Sequence, residues 1–100
     1  MYTAQMARKE MNQASFKVDT IVKLLERRAE AFAKDGKSQV TISFCNMNFT
    51  QEEQNNINYE IHVKRGFHIA FLKSIKSFTI RIGWGDKEVF DALTESYKEN

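Results

Sequence analysis

A long apolar repeat in the first third of the chain constrains the fold more than any other feature. Apolar side chains recur every three or four residues between Thr3 and Gly36, at Ala7, Met11, Ala14, Val18, Ile21, Val22, Leu25, Ala29, Phe32 and Ala33. At about 100° per residue they share a stripe about 120° wide, which predicts an amphipathic helix that Thr3 caps and Gly36 ends. A helix over residues 4 to 34 would be about 46 Å long, whereas a domain of this size is about 30 Å across.

The N-terminal third of this helix should therefore project, bend or meet a second subunit. We favour a subunit contact, because Met6, Met11 and Phe16 would otherwise lie near solvent. A frayed first turn with Phe16 exposed alone is the alternative.

The middle of the chain predicts a strand and then a second helix. After a turn at residues 34–38, apolar and small polar residues alternate from Val40 to Cys45, which is typical of a strand with one buried face. Thr50 and Glu53 have the spacing of a capping box that begins a helix. This helix should end at Gly66 in a left-handed conformation, with Phe67 folding back onto the last turn. Its apolar content is thin, so we expect it on the surface.

The last third predicts a hairpin and a final helix. Two alternating segments, 67–72 and 78–84, are separated by a few residues and should pair as antiparallel strands. Asp86 can cap a helix after them. The inner stripe of that helix should contain Val89, Phe90, Leu93 and Tyr97.

These elements give the order α-β-α-β-β-α and an α+β fold in one domain over residues 1–100. The first strand, second helix and second strand can form a right-handed parallel crossover. We therefore expect a three-stranded mixed sheet in a two-layer α/β sandwich. The long first helix and the last helix should both lie on the Phe44/Phe71/Ile80 face. The other face would then be open to solvent or used for binding.

Composition narrows the class of protein. With 42% apolar and 28% charged residues, and no long apolar segment, the chain reads as a globular domain without a signal peptide or membrane span. We expect it in the cytoplasm. The net charge of +2 is too small to imply a nucleic-acid or membrane partner by itself. Cys45 has no second cysteine to pair with, so no internal disulfide can contribute to stability.

Residues with catalytic chemistry do not form a signature. Cys45 is the only thiol, and His62 or His68 could activate it, but its place in a strand favours a small buried apolar role. One cysteine and two histidines lack the spacing of a metal site. The carboxylate of Glu53 is explained by capping. We therefore expect no enzyme activity, no metal and no cofactor.

Basic residues offer a second function class. Nucleic acid could bind through Arg27, Arg28, Lys64 and Lys73. The aromatic side chains of the strands fall on the inferred buried face, which argues against base stacking on the sheet. Acidic neighbours interrupt the basic segment, which favours a solvated helix face with ion pairs.

Several short motifs carry a family resemblance. They are Tyr2-Thr3-Ala4 with Ala7-Arg8, Gly36-Lys37 before a strand, Gly66-Phe67 after a helix, and Ile80-Arg81-Ile82-Gly83-Trp84 at the end of a hairpin. Over about residues 2 to 84 the chain resembles small uncharacterised proteins of tailed bacteriophages that infect Gram-positive bacteria. The resemblance implies an accessory protein in the infected cell that binds a host or phage protein. It transfers no site residue.

Our leading hypothesis is a non-enzymatic protein-interaction module that forms a homodimer. Its predicted interaction surface comprises Met6, Met11, Phe16 and Leu24. Nucleic-acid binding through the four basic residues is the alternative.

Overall fold

The computed structural model describes residues 1–99, apart from the side chains of residues 8–16 and 99. The fold is α+β, with four helices and a three-stranded antiparallel sheet. The three α-helices are α1 (Ala4–Lys34), α2 (Gln51–Asn58) and α3 (Lys87–Glu99), and a π-helical segment (Tyr59–Val63) continues α2. The strands are β1 (Gln39–Cys45), β2 (His68–Lys73) and β3 (Ser77–Gly83).

The strand that is last in sequence lies in the middle of the sheet. The order is β1-β3-β2, and both neighbours pair with β3 in the antiparallel sense. The predicted mixed sheet is wrong: β1 and β2 do point the same way, but β3 separates them. The central position suits β3 because Ile80 and Ile82 are fully buried there and need neighbours on both sides.

Local sequence signals begin and end the first two helices as expected. The side chain of Thr3 accepts a hydrogen bond from the Met6 N–H at 3.2 Å, and Thr50 forms both halves of the capping box. Gly36 and Gly66 have φ of 79° and 80°, the left-handed conformation that glycine adopts without strain. The Phe67 N–H donates to the carbonyl of Ile61 at 3.1 Å, so the chain folds back there.

The main core lies between one sheet face and the first two helices. Its buried members are Ile21, Val22, Leu25, Ala29, Val40, Phe49, Ile57, Ile61, Phe78, Ile80 and Ile82. Ile57 on α2 and Ile61 on the π-helical segment have no exposed surface. Our expectation of a surface helix is correct for most of its residues, which are exposed or half-buried. Although its apolar residues are few, two of them fill the centre of the core, and each contributes about 2 kcal/mol by burial.

The last helix packs on the opposite face of the sheet. A Cβ on Gly83 would lie 2.6 Å from Phe90, and Arg81 donates a hydrogen bond to Thr94. Both strand residues alternate with Ile80 and Ile82 and so face away from the main core. The predicted two-layer sandwich is therefore wrong, since the sheet lies between α1 with α2 on one side and α3 on the other. The apolar face is already filled, which leaves only the polar face for α3.

The loop between β1 and α2 is held to α1 by Lys17. Its ammonium donates to the carbonyl of Asn48 at 2.5 Å, pairs with Glu53 at 3.2 Å and lies 4.5 Å from the ring centroid of Phe49. Burial by itself would raise the pKa of Glu53, but the Thr50 N–H and Lys17 together hold that pKa below its ordinary value.

We predict that Glu53 makes stability depend on acid. Because its pKa is lower in the folded state, its charge stabilises the fold above pH 4.5, the ordinary carboxyl value, and this contribution is lost as the pH falls through the lower folded value. Glu53→Gln keeps a capping-box residue type and removes only the charge. It should cost about 1 kcal/mol near neutral pH and less in acid. Urea unfolding across this pH range measures the difference.

Glu52→Gln is the matched control, since Glu52 lies one residue earlier in the same helix and is exposed. Equal pH profiles for the Glu53→Gln variant and the wild type would contradict the role of the Lys17–Glu53 contact.

Candidate functional site

The most unusual side chain of the described chain is Arg81, in the middle of β3. It is 1% exposed, beneath α3. Its Nη1 donates to the hydroxyl of Thr94 at 3.3 Å, and its Nη2 donates to the side-chain oxygen of Gln39. Its Nε is buried and has no hydrogen-bond partner. A guanidinium has five N–H donors, so most of its capacity is unused.

Two aromatic rings enclose the same guanidinium. Its central carbon lies 4.9 Å from the ring centroid of Phe90 and 4.6 Å from that of Tyr97. Both rings come from α3, about two turns apart. Cation–π attraction is strongest where water is excluded, so these contacts recover part of the hydration that Arg81 loses.

No carboxylate of the described side chains forms an ion pair with Arg81. Burial lowers its pKa, against which the Tyr97 hydroxyl acts in the raising direction. Arg65 shows the usual arrangement: it pairs with Glu26 and Glu60, and hydrogen bonds to these two carboxylates raise its pKa. An arginine buried without a counter-charge costs free energy. Arg81 is therefore the residue whose position needs a functional explanation.

The helix that covers Arg81 is held by few buried contacts. Of its described residues, Phe90 and Thr94 are buried. Val89, Leu93 and Tyr97 are 52%, 40% and 50% exposed, so the predicted inner stripe is only partly buried. Asp86 caps the helix as expected, accepting from the Glu88 N–H at 2.8 Å.

The sequence pattern did not single out Arg81. In an antiparallel sheet with one wet face, a polar residue between two isoleucines is ordinary. What makes the position unusual is the helix placed over it, and that placement depends on packing far from Arg81. One signal was usable. Phe90 precedes Thr94 by one turn on α3, so the inner row of this helix contains a polar residue.

The structure describes only part of the predicted interaction surface. Met6 is 47% exposed and Leu24 is half-buried, both on α1. The side chains of Met11 and Phe16 lie outside the described residues. The predicted surface is therefore neither assembled nor excluded by the contacts of the described residues.

The four basic residues of the alternative do not meet in one pocket. Arg27 and Arg28 are exposed on α1. Lys64 pairs with Glu60 at 3.6 Å and lines the groove between α1 and α2. Lys73 lines a separate cavity of about 290 Å³ at the turn between β2 and β3.

The candidate catalytic groups are also apart. Cys45 is exposed, so our expectation of a small buried residue is wrong. It lies on the same sheet face as Arg81, but at the end of β1 that is far from Arg81. The strand register places Cys45 opposite Ser77 and His68 opposite Gly83, at the other end of β3. His62 and His68 bond the carbonyls of Phe67 and Gly85. Within the part of the chain that the structure describes, no His, Cys, Asp and Glu group could hold a metal ion.

Comparison with known proteins gives no relative. No protein-family model, no curated protein and no solved structure matches the chain. Among the described residues, no helix is both long and apolar enough to cross a membrane.

We predict that Arg81→Met does not destabilise the fold. Methionine fills a similar volume without a charge, Thr94 keeps its hydrogen bond to the Phe90 carbonyl, and half-buried Gln39 can reach water. We expect a gain of up to about 2 kcal/mol in the free energy of unfolding, as for other buried charges replaced by apolar residues. Urea unfolding measures it.

Thr41→Met, on the same face of the neighbouring strand and opposite Arg81 in register, shows what a methionine does there without removal of a charge. A clear loss of stability in Arg81→Met alone would show that the guanidinium holds α3 in place.

Proposed function

We propose that this chain is a non-enzymatic protein-binding module that pairs with a second copy of itself through the outer face of α3. One observation carries the proposal: α3 leaves Val89 and Leu93 more than one third exposed beside a buried row. Exposed apolar residues that adjoin each other on one helix mark interaction sites more often than scattered ones do.

The outer face can be drawn on a helical wheel. At about 100° per residue, the uncharged residues of α3 occupy an arc about 200° wide. They are, in order around the helix, Ala92, Ser96, Val89, Leu93, Tyr97, Phe90 and Thr94. The sheet buries the end with Phe90 and Thr94 and half covers Tyr97, whose ring lies against Arg81. Ala92, Ser96, Val89 and Leu93 remain outside, and all the charged residues lie on the rest of the wheel.

A second copy fits this arc better than a charged partner does. The arc carries no charge, so the matching surface must be uncharged as well, and the same arc of another chain meets that need. Val89, Leu93 and Tyr97 are evenly spaced. In an antiparallel pair about a two-fold axis at Leu93, Leu93 meets its copy and Val89 meets Tyr97. Small Ala92 and Ser96 let the two helices approach closely.

The family resemblance adds a further partner. We propose that the dimer acts on a host or phage protein in the cytoplasm of an infected bacterium. Met6, Met11, Phe16 and Leu24 on α1 are the proposed contact residues for that step. We thus assign self-association to α3 in place of the α1 subunit contact that the sequence favoured, and keep the α1 surface for the other protein.

We predict that Leu93→Glu weakens self-association at least about tenfold, equivalent to about 1.4 kcal/mol, because a carboxylate would face its own copy across the pair. Sedimentation equilibrium over a concentration series measures the dimer dissociation constant. Circular dichroism checks the fold, which Leu93 at 40% exposure should not disturb.

Glu95→Gln changes one charge on the side of α3 turned away from the arc and should leave the dimer intact. Phe16→Asp tests α1 in parallel. A dimer lost in Phe16→Asp and kept in Leu93→Glu would overturn the α3 interface, as would a monomer at high concentration in the wild type.

Nucleic-acid binding through Arg27, Arg28, Lys64 and Lys73 stays a prediction. It requires affinity for DNA or RNA that falls steeply with salt. A gel shift with no complex at low salt would remove it.

A further inference from the structure

We propose that α3 is a displaceable cover and that the sheet face beneath it, centred on Arg81, binds an anionic group of another molecule, a carboxylate or a phosphate. This site is distinct from the outer face of α3, and it does not depend on self-association.

The first argument is how α3 is attached. The preceding segment is fixed: the Trp84 indole N–H donates to the Lys37 carbonyl at 2.9 Å, and the Trp84 backbone N–H donates to Ser38. Beyond it, Gly85 and Asp86 are exposed. Of the described side chains of α3, Phe90 and Thr94 are buried, while Tyr97 is 50% exposed. A helix with so few buried residues belongs to the low-stability end of local opening. His68 holds the Gly85 carbonyl at 2.9 Å, so the hinge follows that carbonyl, at Asp86.

The second argument is what opening exposes. In the closed state Nη1 of Arg81 is bonded to Thr94, which moves with α3, while Nη2 is bonded to Gln39, which stays with β1. Opening therefore frees Nη1 as well as the unpartnered Nε, while Gln39 still orients the guanidinium. The freed Nη1 and Nε point to different sides of the guanidinium, and each can donate to an oxygen of a carboxylate or phosphate.

The third argument is charge. Arg81 forms no ion pair with any described carboxylate, and closure removes its charge from water. Opening returns that hydration, and an anion that binds the open state stabilises it further. An anion with no contact in the closed state would shift the population towards the open state in proportion to its affinity.

Hydrogen exchange of the full-length protein tests the proposal. Exchange is compared in sodium chloride, sodium acetate and sodium phosphate at equal ionic strength. We expect acetate or phosphate to speed exchange of α3 amides at least about threefold, while the amides of the three strands keep their rates. The acetate and phosphate arms identify the preferred anion. Equal α3 rates in all three salts would overturn the site.

Arg81→Met separates this role from a structural one. With no charge to rehydrate, α3 should close more firmly, exchange at least about threefold more slowly and ignore the anion. Faster α3 exchange in this variant would show that Arg81 anchors the helix, and would overturn the proposal. Arg65→Met is the matched control, because Arg65 is paired with two carboxylates and should leave α3 exchange unchanged.

Gly83→Ala provides a second route to the open state. The added Cβ would lie 2.6 Å from the ring of Phe90 and push α3 off the sheet. We expect fast α3 exchange in every salt and tighter binding of the preferred anion, read by titration of backbone amide shifts. Unchanged or weaker binding in this variant would contradict a site beneath α3. Repeating the exchange in Leu93→Glu separates the cover from the dimer. Loss of the dimer changes the α3 rates in chloride, but the acceleration by the preferred anion should persist.

Discussion

The central position of β3 determines both sides of the molecule. Because β3 pairs with β1 and β2 at once, Ile80 and Ile82 have strand neighbours on both sides and can be buried completely under α1 and α2. The same pairing puts Arg81 in the middle of the opposite face, where neither sheet edge gives its guanidinium a path to water. A well-packed apolar face and a buried charge are therefore two consequences of one strand order.

The predictions that succeeded concern short-range chemistry. Caps at Thr3 and Thr50 depend on the neighbouring three residues, and the left-handed glycines depend on backbone sterics alone. Strand order is a different kind of property. The alternation of β1 and β2 fits a parallel or a separated arrangement equally well, and the choice depends on whether β3 enters between them. That insertion is decided by the burial of the whole apolar face, which no local pattern encodes.

The same limit applies to α3 and the site. Its row of Val89, Phe90, Leu93 and Tyr97 is apolar enough to predict a buried stripe, yet it does not say which face of the sheet receives it. The choice follows from volume: α1 and the pair Ile57 and Ile61 already fill the apolar face. Once α3 is on the polar face, it can bury only part of its stripe, and Arg81 becomes enclosed. The site thus arises from an arrangement of layers, although each of its residues is unremarkable in the sequence.

A structural role for Arg81 has to be weighed against a binding role on energetic grounds. The rings of Phe90 and Tyr97 and two hydrogen bonds give the guanidinium a defined place. Such contacts can fix one packing position of a helix on the sheet. But fixing the position of α3 needs only contacts between one strand residue and the two rings. Methionine or leucine at position 81 would make such contacts without desolvating a charge. The unpartnered Nε does not help to fix the position of α3. Only an acceptor that arrives from outside makes use of it, and such an acceptor gains from a guanidinium that Gln39 already orients. The arrangement is therefore better explained by a ligand for Arg81 than by the closed fold alone.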